Sequence, residues 1–210
     1  MLSIEHSLKN QGYSYIACID EVGRGCLAGN VTACAIILPL EEPIDGVTDS
    51  KKISANKREQ LYEKILNQSY AIGLGSASPS EIDRYNIKVA THLAMSRAVD
   101  NLKTKELINI KPDFLLIDAE TIPVKIPQKG IIKGDALCHG IAAASIVAKV
   151  LRDQEMMHYH RIYPNYDFCN NMGYGTSKHI EALKEIGPCK IHRQSFIRKI
   201  LDHNQQLNLF

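Results

Sequence analysis

The chain has 210 residues, 45% of them apolar, and 25 Lys and Arg balance 23 Asp and Glu to a net charge of +2. That length holds one domain with a substantial core. So small a net charge excludes a global field as the basis of nucleic-acid binding, which must then rest on a local patch.

The first apolar run, residues 15–20, reads as a strand. It ends in Asp20-Glu21-Val22-Gly23-Arg24-Gly25. Carboxylates at a strand end suit hard cations such as Mg²⁺ or Mn²⁺. The glycines let a ligand approach bare backbone, and the arginine fork suits phosphate. Six residues thus combine the elements of phosphodiester chemistry, although Asp-Glu alone is usually only a charged turn. Adjacent strand residues point to opposite faces, so Asp20 and Glu21 share a site only if the strand has begun to turn at Glu21.

Residues 31–38 read as a second strand, ended by Pro39. Ser54 caps a helix through about Asn67, and residues 70–77 alternate as a third strand. Ser78-Pro79-Ser80-Glu81 joins a capping box to a proline at the first helical position. Two helical stretches follow to about Leu107, with a break near Asn86. Residues 114–117 are an apolar run ending at Asp118. Residues 130–133 are a short strand candidate followed by Asp135. Residues 141–157 form a long, alanine-rich helix. Thr176 or Ser177 caps a further helix that stops at Gly187-Pro188. Residues 203–206 read as a polar tail, and almost nothing precedes the first strand.

Four acids therefore sit at or just past strand ends: Asp20, Glu21, Asp118 and Asp135. Singly, Asp118 reads as a strand-end acid capping a backbone NH and Asp135 as a turn acid, with Asp49 and Asp153 as competing acids. Together they suit a two-metal nuclease, whose cations, about 3.5–4 Å apart, clamp the attacking and leaving oxygens. The basic residues Lys51-Lys52, Lys57-Arg58, Lys190, Arg193 and Arg198-Lys199 cluster locally, though each alone is an ordinary solvated charge. The six cysteines show no Cys-x-x-Cys spacing, which argues against a zinc site or a disulfide framework and fits a reducing cytoplasm. The N-terminus lacks signal-peptide architecture, and no apolar run is long enough to span a bilayer, so the expected location is cytoplasmic.

The six-residue string resembles the signature of the ribonuclease HII family. Further blocks resemble it in family order: Thr48-Asp49-Ser50-Lys51-Lys52-Ile53-Ser54, Leu115-Leu116-Ile117-Asp118-Ala119, Lys133-Gly134-Asp135, residues 141–153, Gly173-Tyr174-Gly175-Thr176 and His192-Arg193-Gln194-Ser195-Phe196. The related ribonuclease HIII usually carries an N-terminal extension and Gly-Lys-Gly where this chain has Gly23-Arg24-Gly25. The resemblance implies an α/β fold: a ribonuclease H-like mixed sheet flanked by helices, with a C-terminal helical extension. It places one catalytic domain over residues 1–200 and a tail over 201–210.

The same resemblance implies endonucleolytic hydrolysis of the RNA strand in RNA–DNA hybrids and at single ribonucleotides embedded in duplex DNA. The ends left are 5′-phosphate and 3′-hydroxyl. Asp20, Glu21, Asp118 and Asp135 are the implied catalytic and metal-binding residues, for Mn²⁺ or Mg²⁺, two ions with substrate bound. Gly23, Arg24 and Gly25 match the turn that senses the ribose 2′-OH, the group that separates RNA from DNA. Tyr174 matches the aromatic packed against the sugar beside the RNA–DNA junction. Lys51 and Lys52 are candidate phosphate contacts or, equally, a solvated pair. His139, His192 and Arg193 are near enough in the motifs to approach substrate but receive no role.

The alternatives are another ribonuclease H-like nuclease, such as a junction resolvase, and a non-catalytic hybrid-binding module. The chain is expected to be monomeric. Gln206, Leu207, Leu209 and Phe210 resemble the short motif by which bacterial repair proteins dock on the DNA polymerase sliding clamp. The competing reading folds Leu207, Leu209 and Phe210 back onto the domain.

Overall fold

The computed structural model describes the backbone of residues 1–207 and the side chains of residues 1–202. Five strands form one sheet: β1 (Ile16–Val22), β2 (Val31–Ile37), β3 (Ala71–Ala77), β4 (Phe114–Asp118) and β5 (Gln128–Ile131), in the order β3-β2-β1-β4-β5. The first three are antiparallel neighbours. β4 pairs with β1, and β5 with β4, in parallel. This is the expected mixed sheet.

Helices cover both faces. α1 (Ser3–Asn10) precedes β1, although the sequence was expected to hold almost nothing there. α2 (Ala55–Gln68) starts where Ser54 accepts a hydrogen bond from the Lys57 amide. α3 (Pro79–Tyr85) carries the full Ser78–Glu81 capping box. α4 (Ile87–Asp100) follows Asn86, which holds φ +69° and caps the new helix with its side chain. The break near Asn86 is therefore a redirected chain. α4 ends seven residues before the expected Leu107, because Lys103 bridges to Ile72 and Asn109.

α5 (Gly134–Leu137) is a single turn, and α6 (His139–Ile162) is the 24-residue helix of the domain. After a 3₁₀ turn at Pro164–Tyr166 come α7 (Phe168–Asn171), α8 (Ser177–Ile186) and α9 (Gln194–Leu207). The residues expected as a polar tail, 203–206, are thus helical in their backbone.

Small residues set how closely the layers approach. A Cβ on Gly73 or Gly75 of β3 would lie 2.0 or 2.1 Å from the Ala98 or Ala94 carbonyl oxygen of α4. Helix backbone therefore rests directly on strand backbone. On the opposite face Ala142, Ala143, Ala144 and Ala148 of α6 join Cys18, Cys34, Ile36 and Leu116 in one core cluster. Ala17, Ile19, Ala33, Ala35, Leu115 and Ile117 face α4 in the second. A third cluster, around Phe168, Tyr166, Met156, Leu183 and Ile197, includes Ala28. It packs the C-terminal helices under the segment that follows β1. No described helix is long and apolar enough to cross a membrane.

Candidate metal and nucleic-acid site

The parallel β1–β4 register ends at Ile19 opposite Ile117, so Asp20 and Asp118 occupy the next position on neighbouring strands. The Gly134 amide donates to Asp118 Oδ1 at 2.6 Å, which sets Asp135 beside that strand end. Burial, then the charges of Glu21, Asp118 and Asp135, push the Asp20 carboxyl well above the usual carboxylate range. Burial also raises Asp118, with Asp135 adding and the Gly134 amide and Lys51 opposing. Burial raises Glu21, Arg24 opposes it, and Asp118 adds to the rise. The four acids thus lie in one shared electrostatic field.

Glu21 does not meet the condition set for sharing a strand face with Asp20. β1 does not turn there: Glu21 pairs with Ala33 and Val22 with Thr32. Glu21 leaves the strand on the face opposite Asp20, held by Arg24 Nη1 at 3.2 Å, and the same nitrogen reaches Glu120 at 3.3 Å. His92 of α4 closes this chain at 3.2 Å from Glu120. The strand end is narrow enough that Glu21 still feels Asp118. Its Oε2 is buried with no hydrogen-bond partner.

Buried carboxylate oxygens are normally paired, so an orphan oxygen among acids of raised pKa marks missing positive charge. An all-oxygen donor set of this kind fits a hard divalent cation. These residues therefore suit the metal ions that the sequence reading implies.

Beside the acids lies the turn Gly23-Arg24-Gly25. Gly23 holds φ +93°, and a Cβ there would lie 2.2 Å from Arg152 Nε and 2.9 Å from the Asn30 carbonyl oxygen. Only glycine fits. Two arginines with no exposed surface lie under the turn. Arg193 donates to the carbonyls of Gly23 (2.7 Å), Arg24 (2.9 Å), Gly29 (3.0 Å) and Asn30 (3.1 Å). Arg152 donates to those of Ala28 (3.1 Å), Asn30 (3.1 Å) and Met172 (2.8 Å). Burial pushes the Arg193 guanidinium down to about 10, still charged at neutral pH. Carbonyl dipoles rather than a carboxylate compensate it.

The same network carries Tyr174. The Leu27 amide donates to the Gly173 carbonyl at 2.8 Å, and the Tyr174 amide to that of Asn171 at 2.8 Å. A Cβ on Gly25 would stand 3.9 Å from the Tyr174 ring, so the ring lies beside the turn, 43% exposed. Two buried histidines support it from behind. The Cys189 amide donates to His192 Nδ1 at 2.9 Å, which puts the His192 proton on Nε2. That proton is donated to His179 Nε2 at 2.9 Å, leaving His179 Nδ1–H to donate to the Tyr174 carbonyl, also at 2.9 Å. Both imidazoles are shifted toward the neutral form. Burial, with His179 adding, pushes His192 down to about 4, and burial lowers His179.

The fold thus puts Asp20 within electrostatic reach of Glu21, Asp118 and Asp135, with Lys51 Nζ 3.7 Å from Asp135. Lys52 instead faces Asp49 at 3.9 Å. Asp153, a competing acid, is paired with Lys149 at 2.6 Å and Arg58 at 3.6 Å, and Asp49 accepts from the Lys51 amide within its own loop. His139, His192 and Arg193 are buried and do not reach the surface. Side chains of Gln206, Leu207, Leu209 and Phe210 lie outside the described residues. Sequence reasoning missed the support given by Arg152 and Arg193. One signal was available: Arg152 continues the α6 face of Ile141, Ser145 and Ala148, where a solvated arginine does not belong.

A sequence model of the family Ribonuclease HII matches residues 17–199. Ribonuclease HII of Alkaliphilus oremlandii is 57% identical over 200 residues, 95% of this chain and 98% of that protein. That of Alkaliphilus metalliredigens is 50% identical over the same shares. Among solved structures, ribonuclease H2 of Pyrococcus horikoshii superposes with a TM-score of 0.75 at 24% identity, covering 92% of this chain and all of that one. The ribonuclease HII of Archaeoglobus fulgidus, solved in complex with PCNA, gives 0.70 at 23% identity, covering 86% and 94%. A Bst ribonuclease HIII solved with Mn²⁺ gives 0.65 at 14%, covering 93% and 70%. These structures share the fold, and the sequence relatives fix the assignment: the chain belongs to the ribonuclease HII family of ribonuclease H enzymes.

Proposed function

We propose that the acidic pocket hydrolyses the RNA strand of RNA–DNA hybrids and cuts at single ribonucleotides embedded in duplex DNA, leaving 5′-phosphate and 3′-hydroxyl ends. The observation that carries this reading is a bare glycine turn, locked from below by two buried arginines, beside four clustered acids. Recognition of a 2′-OH requires close approach to a rigid donor or acceptor. A turn whose Gly23 and Arg24 carbonyls are held by Arg193, with Arg152 holding Ala28 and Asn30 just beyond it, presents such backbone without reorganisation.

Asp20, Glu21, Asp118 and Asp135 are the proposed ligands of divalent cations, Mn²⁺ or Mg²⁺. When bound, two such cations activate water for in-line attack and stabilise the leaving oxygen. Glu21 would present its unpaired Oε2, while Arg24 fixes Oε1 and keeps part of its guanidinium for phosphate. Tyr174 would pack on the sugar next to the junction. Lys51, at the rim beside Asp135, would contact the backbone phosphates, with Lys52 further out.

The C-terminal segment Gln206-Leu207-Asn208-Leu209-Phe210 is proposed to dock on the sliding clamp. Its motif supports that, as does the PCNA complex of the Archaeoglobus relative. Deleting those five residues is expected to remove clamp binding in calorimetry and to spare cleavage of short duplexes.

The experiment for the main reading is product mapping on a DNA duplex with one ribonucleotide, with Mg²⁺ and then Mn²⁺. A single incision beside the ribonucleotide supports it. Cleavage of branched DNA in preference to that duplex points to a junction resolvase, and binding without turnover to a hybrid-binding module.

A further inference from the structure

The cysteine spacing argued against a zinc site, but the fold assembles what the sequence separates. Cys18 is in the middle of β1, Cys138 directly precedes α6, and Glu5 comes from α1. All three are buried, at 3%, 0% and 1% exposure. Their ligand atoms lie within 4.8 Å of one another. Cys138 Sγ is 3.1 Å from Glu5 Oε1 and 3.8 Å from Cys18 Sγ.

Ordinary packing explains part of this. Glu5 Oε1 accepts from the Gly140 amide at 3.2 Å, so the carboxylate serves the N-terminus of α6. That account stops at Oε1. Glu5 Oε2 is also buried, with no hydrogen-bond partner. An interior carboxylate oxygen left without a donor is costly, and two thiols offer it only weak donors.

The spacing is that of a metal site. Thiolates bound at about 2.3 Å to a tetrahedral Zn²⁺ stand about 3.8 Å apart. A disulfide would require the sulfurs to close to about 2.05 Å. Soft thiolate donors select Zn²⁺ over the hard Mg²⁺ and Mn²⁺ suited to the all-oxygen pocket.

We propose that Glu5, Cys18 and Cys138 bind one thiophilic divalent cation, Zn²⁺ by preference, at a structural site distinct from the acidic pocket. On binding, each thiol releases its proton to solvent and its sulfur bonds to the ion. Glu5 Oε2 supplies the third bond, and water the fourth. The site ties α1 to β1 and to the start of α6, so its occupancy holds the N-terminal helix on the domain.

The test uses the full chain, reduced and stripped by chelator, titrated with Co²⁺ in excess Mg²⁺. One equivalent is expected to produce thiolate-to-cobalt charge-transfer absorption that Zn²⁺ abolishes. Zn²⁺ should also raise the thermal midpoint. Asp118→Asn should keep the band, and Cys138→Ser should lose it. Cys169→Ser/Cys189→Ser, which alters cysteines away from the cluster, should keep it. Should Cys138→Ser not fold, Glu5→Gln serves, with Co²⁺ affinity falling at least tenfold. No thiolate band in the intact protein at saturating Co²⁺, or a band unchanged in both Cys138→Ser and Glu5→Gln, would overturn the proposal.

Discussion

Asp20 and Arg193 are both buried charges that flank the same glycine turn, yet their surroundings differ in kind. Arg193 spends its guanidinium on four backbone carbonyls. Asp20 faces three further acids, and Glu21 beside it keeps an oxygen with no partner. The first charge is compensated within the fold, whereas burial and like charge raise the pKa values around the second. The cradle holds geometry, whereas the pocket stores repulsion that a cation would relieve. A substitution should therefore cost stability in the first region and activity in the second.

The largest effect on folding should come from Arg193→Ala. The Arg24 and Gly29 carbonyls lose their donor, each worth about 1–3 kcal/mol, and those of Gly23 and Asn30 keep only their second one, so unfolding free energy should fall by about 4 kcal/mol. Arg193→Lys should recover less than half of that, because an ammonium cannot reproduce the fork. Urea denaturation measures both. A loss under about 1 kcal/mol for Arg193→Ala would show that the cradle is not held this way.

A smaller effect separates the regions by pH. The neutral His179–His192 pair has folded-state pKa values below the ordinary 6.5, His192 at about 4. Its contribution is therefore full above pH 6.5 and lost as pH falls toward 4, at most about 3 kcal/mol for His192. The acids act in the opposite sense. The folded-state pKa values of Asp20, Glu21 and Asp118 are raised, so the repulsion they impose at neutral pH is relieved on acidification. NMR titration of the imidazoles should find both histidines neutral at pH 6. A protonated pair at that pH would break the relay to the Tyr174 carbonyl.

The smallest effect concerns Tyr174. Tyr174→Ala should slow incision at an embedded ribonucleotide about tenfold, roughly 1.4 kcal/mol. Tyr174→Phe should retain the rate, since the ring packs beside Gly25 and its exposed face is what substrate would meet. Equal kinetics for Tyr174→Ala and the parent protein would leave the tyrosine as part of the turn alone.

What the sequence disclosed follows the range of the interactions involved. The capping box at Ser78 and Glu81, the cap at Ser54 and the strand ending at Asp118 depend on residues a few positions apart, and all three appear. The acids were legible because each stands at the end of an apolar run. Three features were not. α1 was overlooked because its burial of Glu5 depends on Cys138 and Gly140, more than a hundred residues away. The turn at Glu21 that a shared site with Asp20 would require is absent, because pairing with β2 continues through Val22. Arg193 read as an ordinary solvated charge because arginine is usually exposed, and only the folded turn supplies enough carbonyls to bury it.

The central claim is that the four acids form a cation site whose mutual repulsion is retained for function. Asp118→Asn tests it most directly, since an amide oxygen can still accept from the Gly134 amide while the charge is gone. Thermal unfolding with and without Mn²⁺, alongside turnover on an RNA–DNA hybrid, gives the answer. The account predicts an unchanged or higher midpoint without metal, loss of most of the Mn²⁺-induced rise, and turnover lower by about a thousandfold. A variant that keeps the full Mn²⁺ response and the parent rate would contradict it.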